Sequence, residues 1–248
     1  MPSVAFRETS HDLARTTLRY SALVPLQRPP AMNYDLILVG AGGFGREVYQ
    51  WTTDWIRSRP ADGDTYRIAG FLSDTANDLD GFSLPVGILG TPGEYAIEPN
   101  DRFLIAIGTV SVRKRIVEDL KLRGAQFHTL VHPTAVVGDA VKLGEGVILC
   151  PFATVTTHVE LSDFVMLNIY ASAGHDARVG RYGVLCPYAT LNGFAVLEDE
   201  VFVATHATVT AYRRIGRGAT IGANSLVLRD VPPEALIVGV PGKNLREE

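Results

Sequence analysis

The stretch Leu161-Ser-Asp-Phe-Val-Met-Leu167-Asn-Ile-Tyr-Ala-Ser-Ala173-Gly-His-Asp-Ala-Arg-Val179-Gly-Arg-Tyr-Gly-Val-Leu185 decides the fold. An apolar residue returns at every sixth position. Counting outward in sixes, the pattern reaches back through Val155, Leu149, Leu143 and Val137 to Val131. It reaches forward through Leu191, Leu197, Val203, Val209, Ile215 and Ile221 to Val227. Four residues after each comes a small or β-branched residue, such as Ala153, Val159, Ala171, Ala177, Ala189 and Ala207; Arg213 is the lone exception. A period of six fits neither the 3.6 of a helix nor the 2 of a hairpin sheet. It fits a parallel β-helix with three short strands per coil and eighteen residues per coil. The seventeen hexads from Val131 make between five and six coils. The repeat residue points into a narrow prism, and the small residue fits the corner. Glycines at the second position (Gly138, Gly144, Gly174, Gly180, Gly216, Gly222) are expected to supply the φ freedom of the turns.

Upstream the pattern changes. Residues 35–39 read as a strand, 40–45 as a glycine turn and 46–57 as a helix; 66–72 and 103–107 read as strands and 111–123 as a helix. Strands alternating with helices predict a parallel α/β sheet. The segment is too short for a full six-stranded dinucleotide fold, so a half-sized version is expected. Residues 1–33 are polar and end in a proline-rich run, which predicts a flexible tail. The expected division is 1–33 tail, 34–130 α/β nucleotide-binding domain, 131–248 β-helix.

Composition excludes several classes. With 23 Lys and Arg against 27 Asp and Glu, the formal charge is −4, and no basic run rescues a nucleic-acid binder. No stretch approaches the ~18 apolar residues of a membrane span, and residues 1–20 lack a secretory apolar core. A cytoplasmic protein without membrane insertion is the expectation. Two cysteines make neither a disulfide framework nor a four-cysteine metal site; Cys150 and Cys186 lie two coils apart, about 9.6 Å, and should be free thiols. No spacing suggests a metal.

Gly40-x-Gly42-Gly43-x-Gly45 follows a strand and opens a helix, where backbone N–H groups can cradle a phosphate. A nicotinamide dehydrogenase with Asp74 as ribose ligand, or a tight turn required only for packing, would share this motif. His175 sits at the third position of its hexad, so it is either a polar turn residue or a base. Eighteen residues on stands Gly193, whose missing side chain should leave room beside the imidazole. His158 falls one coil below Asp176, where a contact would fix the carboxylate or simply leave an exposed pair.

The chain resembles the hexapeptide-repeat acetyltransferases with a left-handed β-helix. Within that superfamily it resembles the branch of the sialic-acid O-acetyltransferase and the N-acetyltransferases of nucleotide-linked 4-amino sugars. The matching pieces are the loop at 40–45, Gly70-Phe-Leu-Ser-Asp74, Ile105-Ala-Ile-Gly108 with Arg113-Lys-Arg-Ile116, and Val131-His-Pro133. Further matches are Leu167-Asn168, Gly174-His-Asp-Ala-Arg-Val-Gly180, Asn192-Gly193 and Val238-Gly-Val-Pro-Gly-Lys243; Gly242 stands where many members carry Ala. The resemblance implies a small Rossmann-like α/β domain followed by a left-handed parallel β-helix. It implies an acetyl-CoA-dependent transfer to an amine of a nucleotide-linked amino sugar, or to a hydroxyl in the O-acetylating variant. His175 would be the general base and Asp176 its acidic partner. Gly193 and His206 would lie along the acetyl-CoA. Gly40, Gly42, Gly43, Gly45, Asp74, Gly108, His132 and Asn168 would contact the sugar nucleotide. It also implies a homotrimer, with Tyr170, Tyr188, Phe194 and Phe202 available for the groove between subunits, and no metal. A β-helix kept as a non-catalytic scaffold, or a nucleotide sensor, is the rival from another class.

Overall fold

The computed structural model describes residues 31–60 and 63–246. The expected tail falls outside them, apart from residues 31–33, and Asn33 already belongs to the first strand.

β1 (Asn33–Val39) carries the apolar run Leu36 to Val39, fully buried on both sides. α1 (Gly43–Arg57) follows, then β2 (Thr65–Leu72), β3 (Ile88–Gly90), β4 (Asp101–Ile105) and α2 (Val110–Leu122). The strands form one parallel sheet in the order β3-β2-β1-β4. Alternation along β1 sends Ile37 and Val39 into the layer with Val117 and Leu120 of α2. Leu38 goes into the opposite layer with Val48 of α1. The three-residue β3 had no signal in the sequence, because Ile88-Leu-Gly90 is too short to show a period.

From Leu130–Val131 to Leu226–Val227 the chain runs as two-residue strands, each paired in parallel with a strand eighteen residues away. Ala173 faces Val155 on one side and Leu191 on the other. The strands stack into three faces of five, eight and six strands among the described residues, the eight including two closing strands near the C-terminus. Val155, Leu161, Leu167, Ala173, Val179 and Leu185 are all buried in one continuous core with the small corner residues. The last coil is two residues short: Ile215 faces Val231, and Thr220 pairs with Leu236.

The glycines of the second position do not supply positive φ. That conformation falls on the fourth position, at non-glycine residues such as Phe152 (60°), His158 (59°), Asp176 (60°) and Phe194 (59°). A left-handed non-glycine residue is strained locally. Here the strand ladders on either side of each corner hold it in place. The second-position glycines serve another purpose. A Cβ on Gly144 would stand 2.5 Å from the Asp163 nitrogen, and one on Gly174 2.7 Å from that of Gly193. They let one coil lie close on the next.

The α/β layer and the first coils share their cores. Leu130, Ile148, Cys150 and Met166, on the outside of one prism face, pack in the layer of α1. Phe164 and Tyr182, at a prism corner, join the α2 layer; their rings stack 5.4 Å apart, and Phe127 meets Phe164 edge-on at 4.9 Å. Arg113 of α2 is buried in this seam. Its Nη2 donates to the Tyr182 carbonyl, and burial lowers its pKa to about 10, still charged at neutral pH. Lys114–Glu200 (2.8 Å) and Lys121–Glu145 (2.7 Å) flank it.

Candidate functional site

The sequence-predicted residues fall into three groups. The first is a corner of the prism. His175 and Asp176 occupy the third and fourth positions of one hexad, and the left-handed turn at Asp176 brings its carboxylate back toward the preceding ring. His175 Nδ1 lies 3.0 Å from Asp176 Oδ2. A carboxylate only accepts, so Nδ1 carries the proton, and in the neutral ring Nε2 keeps a free lone pair. The ring is open to solvent, with 59% of its side-chain surface exposed. One coil on lies Gly193, whose backbone faces the ring: a Cβ there would stand 2.6 Å from both Cε1 and Nε2. The space that Gly193 leaves is therefore filled by the imidazole itself, not left vacant beside it. Phe194 meets the ring edge-on at 5.2 Å. His158 is exposed and makes no ion pair with Asp176 among the described residues; the carboxylate turns to His175 instead.

The second group lies at the C-terminal edge of the sheet. β1 is central, β2 pairs on one side and β4 on the other, so the loops leaving β1 and β4 diverge. Such a switch point is where open parallel sheets bind ligands. Its glycines have different reasons. Gly40 has φ 105°, and a Cβ would strike the Ala106 carbonyl at 2.8 Å; Gly45 packs directly on the Gly40 carbonyl. These two are required by the fold. A Cβ on Gly42 or Gly108 would meet nothing within 4 Å, and one on Gly43 only the tip of the Arg46 side chain at 4.0 Å. Gly42 caps α1 and Thr109 caps α2, and neither helix start has a side-chain cap hydrogen bond or an acidic residue in its first turn. Both starts therefore keep free N–H groups for an anion. Gly108 lines a cavity of about 430 Å³ between the start of α2 and Glu200, Phe202 and Glu234 of the prism. Asp74 is exposed just beyond β2. The buried Ser73 hydroxyl bonds Asp78 Oδ2 at 2.5 Å and receives the Thr75 N–H at 3.2 Å, which fixes the loop that presents it.

The third group is gathered with neither. His132 is only 7% exposed, lodged between α1 and the first coil. Its Nδ1 accepts from the Thr134 N–H (3.2 Å) and meets the Thr134 hydroxyl at 2.8 Å. That places its proton on Nε2, 3.8 Å from Asp54 Oδ2. Burial lowers its pKa against the pull of Asp54. This position suits a joint between layers better than the open substrate contact expected of it. Asn168 Oδ1 accepts its neighbour's N–H at 2.7 Å, and the residue shares a column with His132, not with His175. His206 ends an exposed ladder of rings: Phe152 on Tyr170 at 4.9 Å, Tyr170 on Tyr188 at 5.0 Å, and Tyr188 on His206 at 4.7 Å. Of the four aromatics expected at a groove, only Tyr170 and Tyr188 belong to this ladder. Phe194 stacks on Tyr212 at another corner, and Phe202 is half-buried beside Gly108.

Arg115, quoted in the sequence only within the motif at 113–116, and Asp119, not singled out there, stand one turn apart on α2 and line a second cavity with Asp74. Their i,i+4 spacing was visible, but only the fold shows that this helix face meets the loop after β2. Cys150 and Cys186 are free thiols, and burial raises both pKa values, that of Cys186 to about 11. Among the described residues no group of three or more His, Cys, Asp or Glu is placed to hold a metal, and no helix is long and apolar enough to cross a membrane.

Residues 35–120 match the family model of the PglD N-terminal domain. The chain is 29% identical over 141 residues to the GDP-perosamine N-acetyltransferase of Escherichia coli O157:H7, covering 56% of this chain and 61% of that protein. It is 32% identical over 119 residues to the UDP-N-acetylbacillosamine N-acetyltransferase of Bacillus subtilis strain 168, covering 46% and 50%. The matched segments thus span about half to three-fifths of these curated relatives. Among solved structures, the acetyltransferase domain of PglB from Neisseria gonorrhoeae FA1090 in complex with acetyl coenzyme A is similar. Its TM-score is 0.77 at 26% identity, over 86% of this chain and 100% of that one. The chain is thus similar to nucleotide-sugar N-acetyltransferases in sequence over part of its length, and to an acetyltransferase domain in fold over most of it.

Proposed function

We propose that this hexapeptide-repeat chain transfers acetyl from acetyl-CoA to the amine of a nucleotide-linked amino sugar, with His175 as general base. The observation that carries the reading is the His175–Asp176 pair seated on Gly193, with Nε2 free and open to solvent. Asp176 holds the tautomer and stabilises the imidazolium. As the sugar nitrogen bonds to the thioester carbonyl carbon, its proton passes to Nε2. The carbon–sulfur bond then breaks, and the same proton goes to the departing thiolate. Both cysteines are withdrawn by burial and raised pKa, so direct transfer is favoured over an acyl-enzyme. The two uncapped helix starts receive the phosphates of the nucleotide. Relatives named for nucleotide-sugar N-acetylation favour nitrogen over oxygen as the acceptor.

The reading includes a homotrimer in the cytoplasm. The exposed ladder from Phe152 to His206 supports side-by-side packing, since none of the described residues of its own chain covers it. The test is thiol release from acetyl-CoA with a panel of nucleotide-linked 4-amino sugars. His175→Ala should lower kcat by roughly 10²–10⁴ with acetyl-CoA binding kept. Turnover near wild type in that variant would overturn the assignment, and a chain inert toward every acceptor would leave the scaffold reading.

A further inference from the structure

A cavity of about 280 Å³ lies between the loop after β2 and the outer face of α2, lined by Asp74, Pro92, Gly93, Arg115, Ile116 and Asp119. Pockets for whole drug-sized ligands run to about 300–1,000 Å³, so this one suits a single ring system. It adjoins the phosphate crevice directly, because the Gly40 N–H bonds the Leu72 carbonyl at 2.8 Å, two residues before Asp74. Ile116 and Pro92 offer apolar surface for a flat ring. The polar groups are two carboxylates and one guanidinium. Asp74 has no hydrogen-bond or ionic partner among the described residues, and neither has Arg115; exposed Asp119 pairs only with half-buried Arg123 at 3.2 Å.

We infer that this cavity is the base-selecting subsite of the nucleotide and that it selects guanine. The inference rests on the proposed nucleotide-sugar reading and goes beyond it in naming the base. A carboxylate accepts from two donors side by side. Guanine presents such a pair, N1–H and the 2-amino group, while its O6 and N7 form the acceptor edge that arginine grips in two-point fashion. Uracil and cytosine present no paired donors beside an acceptor edge of that length. Adenine turns its N1 lone pair toward a carboxylate. One cavity holding both a carboxylate and an arginine is thus complementary to guanine on two edges.

The experiment measures calorimetric binding of GDP, IDP, UDP, CDP and ADP to the full chain. GDP should bind at least about tenfold tighter than UDP, CDP or ADP, and tighter than IDP, which lacks the 2-amino group. Asp74→Asn, Asp119→Asn and Arg115→Ala are each assayed. At least one carboxylate variant should erase the GDP-over-IDP preference, and Arg115→Ala should narrow the GDP-over-UDP gap, with melting temperature unchanged in these surface variants. UDP equal to or tighter than GDP overturns the inference while leaving the nucleotide-sugar reading intact. So does a GDP preference that none of the three substitutions moves. Failure of all five nucleotides to bind overturns that reading itself.

Discussion

Gly193→Ala separates a base held in place from a base merely nearby. The new methyl carbon would stand 2.6 Å from Cε1 and Nε2 of His175 and 3.1 Å from Cδ2. Carbon–carbon contacts settle at about 3.5–4.0 Å, so the ring must move by about 1 Å. Gly193 is absent from the positive-φ residues, so alanine fits its backbone, and the half-exposed ring can swing outward without disturbing the coil. The swing stretches the 3.0 Å contact with Asp176 and displaces Nε2. A displacement of that size costs about 10²-fold in rate, while the melting temperature should shift by less than about 4 °C. The assay is acetyl-CoA thiol release with the best acceptor, run on Gly193→Ala, His175→Ala and the double variant. If Gly193 acts through the ring, the double variant is no slower than His175→Ala alone. A full additional loss in the double variant would show that Gly193 instead makes room for the acyl donor. Wild-type turnover in Gly193→Ala would refute the ring placement altogether.

Gly42→Ala should fold normally and weaken nucleotide binding with acetyl-CoA binding kept, because its Cβ meets no protein atom; Gly45→Ala should lower the melting temperature first, because its Cβ strikes the Gly40 carbonyl. Calorimetry paired with thermal melts distinguishes the two, and identical behaviour would argue against a ligand at the loop. His128 sits edge-on to Trp55 at 4.5 Å and against Tyr66, and burial, aided by Arg59 and Arg102, pushes its pKa down to about 4. The unfolded chain, with an ordinary histidine near 6.5, takes up the proton first, so stability is full above about pH 6.5 and falls by up to about 3 kcal/mol as pH drops toward 4. His128→Phe should flatten the melting-temperature loss between pH 7 and 5; an equal loss in both proteins would contradict this. Light scattering should give a trimer mass, and Tyr170→Glu with Tyr188→Glu should yield monomers; a monomeric wild type with full activity would end the trimer reading.

The β-helix was legible because its period outlasts every local irregularity. Counting by eighteen put His175 over Gly193, and the backbone pairing of Ala173 with Leu191 is that same register. The count could not show that left-handed backbone falls on the fourth position. There the residues are as different as Phe152, Asp176 and Glu200, so the ladders on either side impose the conformation, not a propensity of the residue. The docking of the two layers did leave a trace. Leu130, Ile148, Met166 and Val184 recur at the sixth position on one face, where the other two faces carry Thr154, Ser172 and Thr190, or Lys142, Glu160 and Arg178. Only the fold shows which helix covers that apolar column. Arg113 was quoted as part of a motif, but nothing in the sequence marks a cation that will be buried against a carbonyl.

The fourth-position residues also divide the prism's corners between tasks. At one corner Phe164, Tyr182 and Glu200 face α2, through ring contacts, the Tyr182 carbonyl held by Arg113, and the Lys114 ion pair. That corner is closed. At another, Phe152, Tyr170, Tyr188 and His206 stack in the open. The third carries His158, Asp176, Phe194 and Tyr212, and here alone the neighbouring third position supplies a histidine above a glycine. Exposed stacked rings bury little surface within one chain, since each covers only its neighbours' faces. A base with an open Nε2 likewise has, within one chain, Phe194 on one side and solvent around much of the rest. Two open corners, one apolar and one carrying the base, are each incomplete in the same sense. Apposing the apolar corner of one chain to the base-bearing corner of the next would complete both at once, which is why the oligomer measurement and the activity of the Tyr170 and Tyr188 variants belong in one experiment: the mass and the turnover should fall together.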